Sequence, residues 1–387
     1  MSNDITDVWG RTFAQAGKPD NFVNLKELQD VTAQGEAGRA ISLTVGGLNH
    51  RQLPVSIPIN KDYYGLAFFT KPDMRLTDSN ISRLRILTPM LSSDAASWPR
   101  VIRASLDARH YKQGTDSYLS PLVDPKQVFI PILSNQLISM SGWQDVELPT
   151  HTTEQGLYGE AFSYADGIAS IYRTYDITAN FRNLPGDPIT SMFYYWTHYA
   201  SAVFQGTLTP WPSNLKDNVV DYQTRIWRLV LDNKKRYVQK IACTGPAFPV
   251  GVSMGQFFNY EIDTPINRRD QIDISFRAIG AEYQDPILIL DFNKTVILGN
   301  PDMGDNMRDR AGMVQIPFEY IYLFNHMGYP RIDPRTYELE WWVYNEQFAA
   351  MTGQGEEPQE ELNLDEVDAD GLDDYLSPEE LSNSSNT

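Results

Sequence analysis

The longest alternating segment of the chain, residues 171–182, limits the fold more than any other feature. One face of it is apolar: Ile171, Tyr175, Ile177, Ala179 and Phe181. The other face carries mostly polar groups: Tyr172, Thr174, Asp176, Thr178, Asn180 and Arg182. Only Arg173 breaks the period of two. This pattern predicts a long strand that buries one face and exposes the other.

The segment after this strand carries the signals of a helix. Residues 183–187 contain a proline and a glycine, and Asp187-Pro188 supplies an N-cap followed by a proline in the first turn. Apolar side chains at helical spacing then predict a helix to about Gln205: Met192, Trp196, Tyr199 and Val203, with Phe193, Ala200 and Phe204 beside them. Gly206 is placed to end it.

Two runs rich in β-forming residues predict a hairpin beyond the helix. They are Tyr222–Leu231 and Arg236–Cys243, joined by the polar residues 232–235. Residues 271–279 alternate again and predict a last strand. A long strand, a helix, a hairpin and a closing strand predict a mainly β fold with α, of the α+β class. We expect an antiparallel β-barrel or sandwich flanked by one helix.

The remaining segments predict how the chain is divided. We expect an N-terminal arm over residues 1–50, a strand plus helical insertion over 51–125, the β domain over 126–295, a C-terminal extension packed on it over 296–350 and an acidic disordered tail over 351–387. Three apolar runs within these segments each predict a strand: Tyr63–Thr70, Val128–Ser134 and Pro286–Leu290. A helix is predicted to start at Ser97, with Pro99 in its first turn.

The negative charge of the chain is concentrated at its C-terminal end. The residues from Glu356 onward hold 12 of the 50 acidic side chains and none of the 32 basic ones, so the net charge of −18 becomes −6 for the rest. A mildly acidic body lacks the clustered cations that grip nucleic acid. This charge suits a surface past which a polyanion slides, and it suits an ordinary acidic protein equally well.

No residue pattern in the sequence predicts an enzyme or a metal site. The five histidines are scattered, and none has a histidine or cysteine at metal-ligand spacing. A Gly-rich phosphate loop and a Gly-x-Ser-x-Gly turn are both absent. Cys243, the single cysteine, is best explained as a small buried hydrophobe, although a distant base leaves a thiol enzyme open. We therefore expect no catalytic residue, no cofactor and, without an apolar run of about 18 residues, no membrane insertion.

Several of these segments resemble parts of one known protein family. The run Tyr175–Arg182, the Pro/Gly turn after it and the aromatic helix are similar to the middle of phage tail tube proteins. Residues Ile241–Pro249 resemble the next part of that family, where a strand ends in a Gly-aromatic-Pro turn before an amphipathic final strand, here residues 271–279. The resemblance covers roughly residues 125–290. The whole chain also looks like long virion structural proteins of large tailed phages.

The resemblance implies a structural function. A tail tube subunit would assemble with its own copies, in a ring of six, around a channel through which DNA passes without specific binding. Its other partners would be neighbouring tail tube, baseplate or sheath proteins, in a virion tail assembled in the host cytoplasm. Because the chain is about twice as long as a minimal tube subunit, we expect the tube initiator at the baseplate junction, with the major tail tube protein and the neck-side terminator as alternatives.

The predicted hairpin is the candidate for contact with a neighbour or for lining the channel. Its side chains of interest are Trp227, Leu229, Lys234, Lys235 and Tyr237. Lys234 and Lys235 lie at its tip, where they would meet acidic residues of the next ring.

A second hypothesis belongs to another functional class. An aromatic-rich β-sandwich could hold carbohydrate as part of a receptor-binding component, using exposed aromatic side chains such as Trp211, Trp341 and Trp342. Rings or stacked tubes in the purified protein would favour the first hypothesis, and monomers or trimers that retain glycan would favour the second. An enzyme would require a deep pocket with converging titratable groups.

Overall fold

The computed structural model describes seven segments of the chain: residues 64–109, 120–169, 172–232, 235–258, 271–306, 308–324 and 327–353. The predicted N-terminal arm, Lys234 and nearly all of the predicted acidic tail lie outside them. The chain divides into two units, Met1–Val343 and Tyr344–Thr387, which are considered separately. The domain division expected from the sequence stays a prediction.

The described strands and helices alternate along the chain. The strands are β1 (Tyr64–Phe69), β2 (Leu137–Ser141), β3 (Thr150–Thr152), β4 (Ser163–Ala165), β5 (Thr174–Arg182), β6 (Ile226–Leu231), β7 (Val238–Thr244), β8 (Ala247–Val252), β9 (Gln271–Ile279), β10 (Ala281–Tyr283), β11 (Met313–Gln315), β12 (Tyr329–Ile332) and β13 (Leu339–Tyr344). The α-helices are α1 (Asp78–Ile81), α2 (Trp98–Leu106), α3 (Pro131–Gln136), α4 (Pro188–Phe204), α5 (Pro212–Lys216), α6 (Ile287–Gly299), α7 (Ile321–Phe324) and α8 (Asn345–Thr352). Short 3-10 helices cover Arg85–Leu91, Met254–Phe258, Pro301–Met303 and Phe318–Tyr320.

Two four-stranded sheets form the centre of the fold. One, which we call the long-strand sheet, has the order β2-β5-β9-β8. The other, the hairpin sheet, has the order β1-β6-β7-β10. The strand pairings in both sheets are antiparallel. The described strands form two open sheets rather than a closed barrel, since β1 and β2 do not pair with each other.

The two sheets share a continuous two-stranded ribbon. β7 runs into β8 and β9 runs into β10, and the pairing keeps one register from Tyr283 opposite Ala242 to Phe276 opposite Pro249. The ribbon bends where the Gly245 N–H donates to the Gly280 carbonyl oxygen at 3.0 Å. Gly280 has a φ of 69°, which an L side chain rarely adopts. A Cβ at Gly245 would lie 2.1 Å from the Ile279 carbonyl oxygen, so only glycine fits the bend.

The main core lies between the long-strand sheet and helices α2 and α4. β5 and β9 alternate buried and exposed residues, as a half-covered sheet requires. Phe193 and Trp196 of α4 are buried against this sheet, with the rings of Phe193 and Phe276 5.5 Å apart. The Trp196 indole N–H donates to the Tyr222 carbonyl oxygen at 2.8 Å, which satisfies the one polar atom of that side chain.

A second, aromatic core covers the other face of the hairpin sheet. Phe68 of β1 and Trp227 of β6 both meet Phe292 of α6, at ring-centroid distances of 5.5 and 5.4 Å. Phe129 stacks on Phe292 at 5.4 Å, and Trp341 of β13 lies 6.3 Å from Phe68. The hairpin sheet is therefore buried on both faces, which explains why β6 carries apolar side chains at nearly every position.

The structure confirms the α+β class with antiparallel sheets, and it corrects three local predictions. The long strand, the helix after it, the hairpin and the last strand all form. Residues Val128–Ser134 are mainly helix α3 rather than a strand, and Pro286–Leu290 opens helix α6. Asp187 occupies the N-cap position with a φ of 51°, but its side chain makes no cap hydrogen bond and instead accepts one from Asn183 Nδ2 at 2.6 Å.

Candidate assembly surfaces

The exposed face of the long-strand sheet is polar and balanced in charge. Its central positions on β5 and β9 are Thr174, Asp176, Thr178, Asn180, Arg182, Gln271, Asp273, Ser275 and Arg277. Asp176 lies opposite Arg277, and the two side chains form an ion pair. Asn180 Nδ2 donates to Asp273 Oδ1 at 2.6 Å. The two acidic and two basic groups of these positions cancel, so the face offers no net attraction to a polyanion.

The same sheet has two open edges that differ from each other. β2 pairs only with β5, and β8 pairs with β9. Apart from one bridge between Thr224 and Ala247 at the start of β8, no described strand covers either outer edge. Open edges carry unpaired main-chain N–H and C=O groups, so they invite pairing with another chain.

A mostly exposed segment, residues 144–169, carries seven of the large exposed apolar or aromatic side chains of the described residues. We call it the arm; it contains the hairpin of β3 and β4. Its large exposed apolar or aromatic side chains are Val146, Leu148, Leu157, Tyr158, Phe162, Tyr164 and Ile168. Leu157, Tyr158 and Ile168 are 93%, 92% and 88% exposed. A concentration of this kind on a solvent-exposed surface is typical of a contact site for another macromolecule.

The base of the arm is fixed to the body. The Tyr283 hydroxyl donates to the Gln144 carbonyl oxygen, and the Trp143 ring packs edge-on against Tyr283 at 6.1 Å. Gly142, with a φ of 93°, lies just before it, and a Cβ there would be 2.4 Å from the Asp176 carbonyl oxygen. The direction in which the arm leaves β2 is therefore set by a glycine that no other residue can replace without a backbone shift.

The predicted hairpin residues do not form one surface. Trp227 and Leu229 are 0% exposed, because the aromatic core covers their face of β6. Lys235 is exposed at the hairpin tip, and Tyr237 is half-buried and paired with Glu338 by a single bridge. The hairpin therefore offers only its tip to a neighbour, and a contact there stays a prediction.

Sequence reasoning identified one run of the arm as a surface loop, which a tube subunit would present to its neighbour, but it did not identify the whole arm as an exposed feature. Its Gly156-Leu157-Tyr158-Gly159 run is consistent with an ordinary surface loop, since alternation and helical spacing are both lacking. The signal present in the sequence is composition alone: seven large apolar or aromatic residues within a segment that has no core-forming period.

The described residues do not bring catalytic groups together. Burial raises the pKa of the Cys243 thiol to about 12, which opposes a role as nucleophile. No group of three or more His, Cys, Asp or Glu side chains in the described segments is placed to hold a metal ion. No described helix is both long and apolar enough to span a bilayer.

The aromatic side chains considered for carbohydrate binding are largely withdrawn from the surface. Trp341 and Trp342 are 7% and 6% exposed. The Trp211 ring is half-buried between the guanidinium groups of Arg75 and Arg109, at 5.4 and 5.3 Å. Two of the three are therefore too buried for a sugar to stack on them, and the third already has two guanidinium groups near its ring.

Two buried ionisable groups, Lys71 and Asp107, lie just after the end of β1 and just after the end of α2. The Lys71 ammonium donates to the Asp124 carbonyl oxygen at 3.1 Å, and burial lowers its pKa to about 8. Burial raises the pKa of Asp107 to about 7, opposed by the Arg109 main-chain N–H, which donates to Asp107 Oδ1 at 3.0 Å. A cavity of about 340 Å³ lined in part by Lys71, Asp73 and Arg109 lies beside them. Asp73 and Arg109 form an ion pair, so this cluster is satisfied mainly by internal contacts.

Three solved structures are similar to part of the chain. The cap of the anti-feeding prophage (AFP tube terminating cap) shares 15% identity over 38% of this chain and 78% of its own, with a TM-score of 0.25. The PVC sheath/tube terminator of an extracellular contractile injection system, in the extended state, shares 14% identity over 38% and 85%, with a TM-score of 0.26. The PVC sheath-tube complex in the extended state shares 16% over 40% and 82%, also with a TM-score of 0.26.

The match to a protein family is far more extensive. No curated protein matches the sequence. The family model described as "Putative phage tail tube protein" matches residues 15–356, which is most of the 387-residue chain. The chain therefore belongs to this phage tail tube family, whose role is structural and lies in the tail of the virion.

Proposed function

We propose that this protein forms a ring of identical subunits in the tail tube, with the long-strand sheet facing the DNA channel. The observation that carries the proposal is the arm. Seven large apolar or aromatic side chains are exposed within one segment, and burying them against a second copy would gain roughly 25 cal/mol for each Å² of apolar surface removed from water. A subunit that leaves such a segment uncovered is built for assembly.

The open edges of the long-strand sheet favour a ring over a two-fold dimer. β2 and β8 are different strands at opposite edges, so pairing one with the other joins two different surfaces. Contacts of this head-to-tail type form closed rings when the rotation between copies closes. Edge pairing would also remove the unpaired main-chain groups that make both edges prone to aggregation.

The charge-balanced face of the same sheet suits the wall of a DNA channel. Phosphate binding needs an excess of cations, and the two arginines of this face, Arg182 and Arg277, are matched in number by two aspartates, with Arg277 paired to Asp176. DNA would pass such a wall without being retained.

Within the tail, we place the ring at the end of the tube that joins the baseplate, with six subunits and with tube, baseplate or sheath proteins as its neighbours. The support is the length of the chain, which exceeds that of a minimal tube subunit. The alternatives are the major tail tube protein and the neck-side terminator. Cryo-electron microscopy of intact particles would distinguish the three, since an initiator appears once, at the baseplate end of the tube.

The assembly itself is tested with purified protein. We expect mass photometry and negative-stain images to show rings, and we expect Leu157→Asp to shift the population to monomers because a carboxylate would have to be buried in the contact. The variant should keep the thermal unfolding temperature of the wild-type monomer, since Leu157 is 93% exposed.

Leu215→Asp is the matched control for that variant. Leu215 is 59% exposed on α5, outside the arm, so this variant should assemble as the wild type does. Equal loss of rings in both variants, or wild-type protein that stays monomeric at high concentration, would count against the proposal.

A further inference from the structure

Arg228, on the central strand β6, has a half-buried guanidinium without a counter-ion among the described residues. It makes no hydrogen bond, ion pair or ring contact with any of them, whereas Arg103, Arg109 and Arg277 each pair with an aspartate. Burial lowers the pKa of the Arg228 guanidinium, and no nearby carboxylate opposes that shift. A cation in this position is more stable once an anion reaches it.

A glycine on the neighbouring edge strand makes room for this guanidinium. A Cβ at Gly65 would lie 2.1 Å from Arg228 Nη2 and 2.4 Å from Nη1. Any larger residue at position 65 would displace the charged group. The guanidinium therefore lies directly against the main chain of β1.

The outer edge of β1 has no strand partner at this same place, where Gly65 is partly exposed and Ala67 is 4% exposed. The Thr70 N–H donates to the Arg225 carbonyl oxygen, so the even-numbered residues of β1 direct their main-chain N–H and C=O groups toward β6. The odd-numbered residues direct theirs away from β6. Phe69 shows this, since its carbonyl oxygen accepts from the Ile130 N–H at 2.8 Å. Beyond that contact, the outward N–H and C=O groups of Gly65 and Ala67 have no partner among the described residues.

A cavity of about 220 Å³ runs beside these free main-chain groups. Gly65 and Ala67 line one side, and Ser134 and Asn135 of α3 are among the polar residues that line the rest. The Ser134 hydroxyl is buried and has no hydrogen-bond partner. Free main-chain groups beside an unsatisfied hydroxyl indicate a surface that accepts an extended polypeptide.

We propose that an extended acidic segment of a second copy of this chain docks along the outer edge of β1, with main-chain hydrogen bonds to Gly65 and Ala67 and a carboxylate on Arg228. This inference rests on the proposed ring, which places copies side by side. A second copy supplies the required chemistry, because the chain carries 50 acidic residues against 32 basic ones. A contact of this kind is strand addition reinforced by a charge-assisted hydrogen bond.

The variant Arg228→Lys allows the proposed ion pair to be detected by chemical cross-linking. Rings of Arg228→Lys, assembled from a mixture of normal and ¹⁵N-labelled subunits, are treated with a zero-length carbodiimide, which joins an amine to a touching carboxylate. We expect mass spectrometry to find the new lysine joined to an aspartate or glutamate, with mixed heavy–light pairs showing that the two belong to different copies.

Arg277→Lys is the matched control, because Arg277 already pairs with Asp176 of the same subunit. Its cross-link to Asp176 should contain no heavy–light pairs. A lysine at 228 that cross-links only within one copy, or not at all while the control reacts, would refute the proposal. A cross-link to another tail protein in assembled particles would refute the assignment to a second copy.

Hydrogen exchange of the wild-type protein provides a test that needs no substitution. We expect the amides of residues 64–69 to exchange more slowly in the ring than in the monomer, because Gly65 and Ala67 gain acceptors there. Rings that form without this protection would overturn the docking inference and leave the proposed function standing. Protein that forms no rings would overturn the proposed function first.

Discussion

Asp107 and Lys71 are buried ionisable groups whose contributions to folding stability change with pH in opposite directions. In the folded protein Asp107 holds its proton up to a pKa of about 7, compared with 3.8 ordinarily. Folding is therefore favoured by protonation, and the contribution of Asp107 to stability falls as the pH rises from about 4 to about 7. The lowered pKa of Lys71, about 8 instead of 10.5, has the reverse effect between about 8 and 10.5.

Asp107→Asn removes the first of these effects and keeps the acceptor for the Arg109 N–H. We expect the melting temperature of the variant minus that of the wild type to increase from pH 4 to pH 8. The reason is that only the wild type must bury an ionised carboxylate as the pH rises. Scanning calorimetry across that range measures it. Asp166→Asn, at an exposed position in the arm, is the control for removing a carboxylate that is not buried, and a profile for Asp107→Asn that matches this control would contradict the prediction.

The burial of individual residues could be predicted from the sequence in β5 but not in β6. Alternation correctly placed Ile177, Ala179 and Phe181 on the buried face of β5, since a half-covered strand leaves a visible period. It could not show that Trp227 and Leu229 are inside the subunit, because their cover comes from α6 and β13, distant in the chain. The exposure of the arm's apolar side chains and the uncompensated charge of Arg228 likewise depend on which residues are neighbours in the folded chain.

At the scale of elements, short apolar runs were the main source of wrong predictions. Residues Pro286–Leu290 form the start of a 13-residue helix, and an apolar run of five residues fits a buried strand equally well. Apolar side chains occur on both faces of α6, so its sequence shows no clear helical period. Long elements with one clear face, such as α4 and β9, were predicted nearly to the residue.

The bend in the shared ribbon is an element-scale feature that one glycine controls. Gly245→Ala should destabilise the protein by roughly 1–3 kcal/mol, because the new Cβ would overlap the Ile279 carbonyl oxygen. Urea unfolding measures this change. Gly251→Ala is the control: it lies on β8 in the same ribbon, and a Cβ there would meet nothing within 4 Å. Similar losses in the two variants would show that the bend does not require glycine.

At the scale of the whole molecule, the balance of charge on the long-strand sheet matters more than the net charge of −18. Much of that negative charge lies in residues 356–387, and the sheet face carries two acidic and two basic groups, of which Asp176 and Arg277 form an ion pair. If this face lines the channel, as we propose, it would neither hold DNA nor repel it strongly.

Asp176→Asn with Asp273→Asn would leave Arg182 and Arg277 unbalanced on that face. We expect rings of this double variant to retain duplex DNA at low salt and to release it as salt rises, whereas wild-type rings retain none. A gel-shift titration measures retention. Asp94→Asn with Asp166→Asn changes the net charge equally at exposed positions away from the sheet, and DNA retention by this control would show that net charge alone decides.

The ribbon shared by the two sheets also has a mechanical consequence. Two sheets that met only through side chains could slide over each other when a force acts along the tube. Here the main chain of β7–β8 and of β9–β10 passes from one sheet into the other, so shear between the layers is opposed by covalent bonds and by an unbroken hydrogen-bond ladder. Each subunit should therefore transmit axial load as a stiff body.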